Sequence, residues 1–168
     1  MKNVDEHYLR IAFKEAVRAR ERGNHAFGGL LVDADGEPVL AAQNSVVTDK
    51  DVIAHAEINM VRAASGKFQP EQLKTFTLYV SAEPCPMCAG AIVWANIRRV
   101  VFGLGMEGIY ELFDAGPDDP TLRMHAARVF AEAPWPMEVI GPMLEDEAQA
   151  VFHKDVVSYR ENSHTKEI

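Results

Sequence analysis

Two short motifs constrain this chain more than anything else in it: His55-Ala56-Glu57 and, downstream, Pro84-Cys85-Pro86-Met87-Cys88. Together they offer three soft or borderline metal ligands, one carboxylate outside the ligand set, and no evident fourth ligand. Zinc is usually tetrahedral, and structural sites close all four positions with protein. A site closed by three leaves room for water, which a bound cation can activate near neutral pH while a nearby Glu moves its protons. The spacing matches a defined hydrolytic signature, H-x-E followed by P-C-x-x-C. The other reading, a structural knuckle, needs a fourth ligand. His7, His25, His125, His153 and His164 are the remaining histidines, and none has ligand-like spacing to either motif.

Cysteine usage agrees. Cys85 and Cys88 are the only two cysteines. A C-x-x-C in a cytosolic chain reads as redox or metal, and the upstream His-x-Glu favours metal. The chain has 168 residues, 48% of them hydrophobic and 25% charged. That is ordinary for one soluble domain with a full core, which needs no metal staple. The apolar stretch from Met87 to Ala95 falls far short of the ~20 residues of a membrane span. The N-terminus is charged and amphipathic rather than a signal core. The expectation is a cytoplasmic protein without membrane contact.

Net charge is −8 and unevenly placed. Residues 1–104 carry 12 basic and 12 acidic side chains, whereas residues 105–168 carry 5 and 13, so the last part holds the whole excess. Polyanion binding needs Lys and Arg to replace counterions, so this charge argues against a nucleic-acid substrate. A basic patch at Arg98 and Arg99 would be the way round it.

Periodicity supplies a coarse fold. Val4, Tyr8, Ile11, Ala12, Ala16 and Val17 share a helical face over residues 4–22, with Gly23 as a stop. Residues 28–32 and 39–42 read as strands joined by a turn at Asp35-Gly36. A second helix is expected from Ala54 through Ala64, ending at Gly66. A strand follows at 76–80, then a helix opened by Cys85-Pro86 and running to Ala95, then a strand at 100–102 closed by Gly103. Beyond Gly105, residues 109–113 and 122–131 read as helical, 137–140 as a short strand, and 144–158 as a last helix. The alternation points to an α/β fold with a covered sheet. Both ligand sets then sit where strands hand over to helices, the usual place for a site in open α/β sheets. The positive ends of helices there favour thiolate.

The motifs resemble those of a known family. Ala54-His55-Ala56-Glu57-Ile58-Asn59, the run from Glu83 to Ile92, and Ile97-Arg98-Arg99-Val100-Val101-Phe102-Gly103 are similar to the cytidine deaminase-like superfamily. They look like the branch of it that holds bacterial guanine deaminases and tRNA adenosine deaminases. The resemblance covers roughly residues 5–115. It implies one domain over 1–168, with a core of 1–104 and acidic C-terminal helices over 105–168. The implied fold is a three-layer α/β/α arrangement around a mixed sheet of about five strands. His55, Cys85 and Cys88 would bind Zn²⁺. Glu57 would shuttle protons, and the Ala56 N–H would orient the attacking or product oxygen. Asn44 matches a substrate-binding Asn; its other reading is a strand-end turn residue. Trp94 and Phe27 resemble pocket aromatics of guanine deaminases, although a Trp on an apolar helix is often core. Asp114 is similar to a substrate-reading Asp, or else a capping acid.

The resemblance therefore implies hydrolytic deamination of a free purine-like nucleobase, guanine first. The alternatives are wobble adenosine in tRNA, another aminated heterocycle such as cytosine, a pterin or an aminotriazine, or a catalytically silent zinc-binding subunit, which the intact Glu57 opposes. It also implies a homodimer, since family members commonly pair and some guanine deaminases exchange C-terminal segments.

Overall fold

The computed structural model describes residues 2–113 and 122–152. The element order is α1 (Lys2–Glu21), β1 (Gly28–Val32), β2 (Pro38–Gln43), α2 (Val46–Asp49), α3 (Ala56–Lys67), α4 (Pro70–Leu73), β3 (Thr77–Ala82), α5 (Pro86–Trp94), β4 (Arg99–Leu104), α6 (Met106–Phe113), α7 (Ala126–Phe130) and β5 (Glu138–Ile140). A helix over 145–152, here α8, follows. The five strands form one mixed sheet in the order β2-β1-β3-β4-β5. β1 runs antiparallel to β2 and β3, while β3, β4 and β5 are parallel. This is the mixed, five-stranded α/β arrangement expected from the sequence.

Strand side chains alternate between two cores, as a pleat requires. Leu78 and Val80 join Met60, Ala64, Ile92 and Phe130 beneath α3, α5 and α7. Tyr79 turns the other way, to Leu9, Phe13 and Phe152 beneath α1 and α8. α1 lies very close to the sheet because two glycines leave it room. A Cβ on Gly28 would stand 2.3 Å from the Ala16 nitrogen, and one on Gly103 would stand 2.5 Å from the Phe13 ring.

Several boundaries differ from expectation. β4 passes through Gly103 instead of stopping there, because the strand keeps pairing with β3 as far as Leu104 against Ala82. α3 passes Gly66 by one residue, with open space around that glycine. The short helices α2 and α4 were not anticipated; α4 is held by a reciprocal Gln69–Gln72 capping box behind Pro70. Of the helix expected over 122–131, only α7 forms. Residues 153–158 of the last expected helix lie outside the described residues.

One ion pair ties α1 to the sheet. The buried Asp5 accepts from Arg99 at 2.9 and 3.0 Å and from the Tyr79 hydroxyl at 2.7 Å. Burial alone would raise the Asp5 carboxyl, but Arg99 and Tyr79 outweigh it and hold it below the usual value of 3.8. A depressed carboxylate contributes stability above its unfolded pKa and loses it as pH falls through the folded one. Asp5→Ala is expected to cost about 3 kcal/mol, because Arg99 loses its buried carboxylate and the Tyr79 hydroxyl loses its acceptor. In thermal melts, the gap between wild type and Asp5→Asn should be full at pH 7 and narrow progressively below about pH 4.

Candidate active site

The ligands owe their positions to two helix starts. His55 is the N-cap of α3 (φ −66°, ψ 156°), and Cys85 is the N-cap of α5 (φ −65°, ψ 165°). Each therefore stands one residue ahead of its helix rather than within the first turn. Neither side chain caps its own helix, which leaves both free to face each other. Pro86 at the first position of α5 sacrifices no helical hydrogen bond. Cys88 lies one turn on, fully buried.

The three groups converge. His55 Nδ1 is 3.5 Å from Cys88 Sγ and 3.8 Å from Cys85 Sγ. Zn–S of about 2.3 Å and Zn–N of about 2.0–2.1 Å at a tetrahedral angle require an N···S separation of about 3.6 Å. Both N···S separations thus match a shared zinc ion, and all three ligand atoms lie within 4.8 Å of one another. Among the described residues no fourth His, Cys, Asp or Glu joins the group, so one position is left open. Glu57, 7% exposed, lies close by but outside the ligand set.

Electrostatics follow from this crowding. Cys85 accepts a hydrogen bond from the Cys88 thiol and another from His55, and is held well below the usual thiol range. Cys88 is pushed up by donating to Cys85, by burial, and by the Glu57 charge. His55 is raised by its bond to Cys85. Burial, then the Cys85 charge, pushes Glu57 up to about 7. Zinc binding by these three groups would displace the protons they share.

Asn44 is buried in the loop between β2 and α2, where the next residue's N–H, that of Ser45, donates to Ala54 O, one residue before His55, at 3.0 Å. The Asn44 backbone N–H donates to Phe27 O at 2.9 Å, and its Oδ1 accepts from Val46 N at 3.1 Å. No acceptor among the described residues takes its Nδ2. Phe27 meets the site through that carbonyl; its ring packs on Phe152, with centroids 5.1 Å apart, on the α1 side of the sheet. The backbone of Ala56 is the first residue of α3, where the N–H has no helical acceptor. Trp94, the last residue of α5, is 91% exposed and so is no core residue. Asp114 lies outside the described residues.

Sequence reasoning missed Glu83, which is 8% exposed. Its carboxylate accepts from Met106 N at 3.0 Å and Ala126 N at 2.9 Å, the first residues of α6 and α7. His125 Nδ1 lies 3.1 Å from it, and His125 Nε2 is 2.8 Å from Glu107. Helix starts favour a carboxylate, so one acid two residues before Cys85 anchors both helices of the next segment. Glu83, Glu107 and His125 are close enough to hold a cation. However, both Glu83 oxygens already serve backbone amides, and the cluster reads as a structural knot. Only the position of an acid beside Pro84 could have signalled it. Among the described residues, one cavity of about 440 Å³ lies beside Asn44, Ser45 and Asn59, and another of about 570 Å³ lies away from the ligands, at Phe130, Trp135 and Met137.

Residues 2–104 match the cytidine and deoxycytidylate deaminase zinc-binding region. The chain belongs to that deaminase family. A probable cytosine deaminase of Schizosaccharomyces pombe is 40% identical over 141 residues, 84% of this chain and 85% of the relative. A tRNA-specific adenosine deaminase of Bacillus subtilis is 43% identical over 99 residues, 59% of this chain and 61% of that one. A guanine deaminase of Bacillus subtilis is 43% identical over 76 residues, covering 45% and 48%. A solved tRNA:A34 deaminase superposes with a TM-score of 0.68 at 32% identity, covering 87% of this chain and 99% of that one. The deaminase is thus a zinc-binding hydrolase of the nucleobase and nucleoside class, and His55, Cys85 and Cys88 are the set that fits its metal.

Two outcomes are expected. Zinc added to metal-free protein should bind one ion per chain and release protons, measured in weakly buffered solution, with Cys88→Ser abolishing tight binding. Glu83→Ala should cost about 3 kcal/mol in denaturant melts, because two amides and His125 lose a charged partner.

Proposed function

We propose that this deaminase removes the exocyclic amine of a free nucleobase, with guanine the first candidate. The observation that carries the free-base reading is charge. The whole −8 excess lies after residue 104. The basic pair that could have offset it is engaged: Arg99 with Asp5 and Glu138, Arg98 over the Trp135 ring at 4.5 Å. Guanine rests on the resemblance of Asn44, Trp94, Phe27 and Asp114 to guanine deaminases. A second reading, cytosine, is favoured by the S. pombe relative, which matches over 84% of this chain. Among the described residues no helix is long and apolar enough to cross a membrane.

Zinc would supply acidity to a bound water, bringing its pKa toward neutral. The chain's own residues do the rest. Glu57, buried and poised near 7, takes one proton from water and delivers protons to the ring nitrogen and the departing amine. The Ala56 N–H directs the incoming oxygen. Asn44 Nδ2, which has no acceptor among the described residues, donates to an acceptor on the base. The balance is one water consumed, a C–N bond exchanged for C=O, and ammonia released.

The reading also includes a homodimer. Val47, Val52, Ile53 and Trp94 are exposed apolar side chains, and such surface favours self-association. Light scattering should return about twice 18.6 kDa; a monomer mass would reject the pairing.

Glu57→Gln should keep stoichiometric zinc and lose ammonia release by about 10²–10⁴-fold. Full turnover in that variant would overturn the proton-carrier role. A panel of guanine, cytosine, adenosine and an anticodon stem-loop tests the substrate. Turnover of the stem-loop alone would contradict the free-base reading.

A further inference from the structure

The loop that carries Asn44 has little behind it. The cavity of about 440 Å³ runs along Gln43, Asn44 and Ser45, so packing on that side does not fix the loop. Backbone bonds give it two attachments: Asn44 N to Phe27 O and Ser45 N to Ala54 O, at 2.9 and 3.0 Å. Gln43 also ends the β2 ladder opposite Gly28, with its side chain held by Glu15 and Arg22, and Thr48 Oγ1 donates to Ser45 O at 3.4 Å; the side chain that reaches the loop from α3 is Asn59. Asn59, in the first turns of α3, directs its Nδ2 at three acceptors. These are Gln43 O at 2.9 Å, Ser45 Oγ at 2.9 Å and, more weakly, Ala54 O at 3.4 Å. Two of them flank Asn44 on either side. The third belongs to the residue before the metal ligand His55.

The Asn59 backbone meets the same centre, since its N–H donates to His55 O at 2.9 Å. One residue thus touches both neighbours of the substrate-reading Asn and the backbone of the zinc-ligating His. A shift of this loop relative to α3 would move Asn44 against the reacting carbon and leave the trio intact. Three acceptors around one amide also settle its orientation, because the oxygen there would face only lone pairs.

We infer that Asn59 is a positioning residue for substrate binding, acting through Asn44 by pinning residues 43–45 to the start of α3. The inference rests on the reading of Asn44 as a substrate contact. Sub-ångström placement of a binding group is what such pins secure, and its loss falls on affinity before it falls on chemistry done elsewhere.

The test is a double-mutant cycle on the zinc-loaded full chain, using whichever base the substrate panel shows to be turned over best. Asn59→Leu keeps the volume and removes the donors; Asn59→Ser serves if Leu prevents folding. Alone, the Asn59 variant should raise KM about 10-fold, hold kcat within about 3-fold, and leave zinc per chain unchanged. In an Asn44→Ala background it should add nothing further. Equal increments in both backgrounds, or an unchanged KM, would overturn the inference while leaving Asn44 in place. If Asn44→Ala alone leaves KM unchanged, the substrate-contact reading falls, and the inference with it.

Discussion

The site depends on two helices that begin within a few ångströms of each other. α3 and α5 each spend their N-cap position on a metal ligand instead of a capping side chain, with nearly identical extended backbones at His55 and Cys85. That choice leaves the amides of both helix starts aimed at the same small volume. It lowers the cost of thiolate there and gives Cys88, one turn on, a fixed direction. The strands serve the same end. β3 delivers the chain to Cys85, while β1, antiparallel to it, brings Phe27 and, through β2, Asn44 to the same edge. Fold and chemistry therefore share one constraint, the convergence of two helix N-termini at the end of a central strand.

Much of this was legible in the sequence because it is local. The spacing of Cys85 and Cys88, the proline between them and the His-x-Glu upstream encode the ligand set, a helix start and the proposed proton carrier within a few residues. Alternation in β3 and the apolar stripe of α1 are equally local. What was not legible depends on distant partners. Glu83 reads as one more acid until Met106 and Ala126 bring their amides to it. Asn59 sits inside a recognisable motif, yet its partners at Gln43 and Ser45 are set by the fold of another loop. β4 outran Gly103 because pairing with β3 outweighed a weak local strand former. Trp94 shows the reverse. Its helix reads as apolar, yet the side chain is exposed at the helix end.

In the proposed function, substrate choice falls to parts of the molecule that carry no metal chemistry. The ligand trio and Glu57 would determine which bond breaks. Asn44, the exposed surface near α2 and α5, and the acidic segment after residue 104 would bear on which molecule presents that bond. The Glu83 knot joins the two regions physically, since the same short loop that ends in Cys85 also anchors α6 and α7.

The most direct test of the central claim is a crystal structure of the zinc-loaded protein. One zinc per chain, held by His55 Nδ1, Cys85 and Cys88 with a solvent molecule as its fourth neighbour and Glu57 outside the coordination sphere, is the predicted result. A fourth protein ligand closing the sphere would make the site structural and contradict the account.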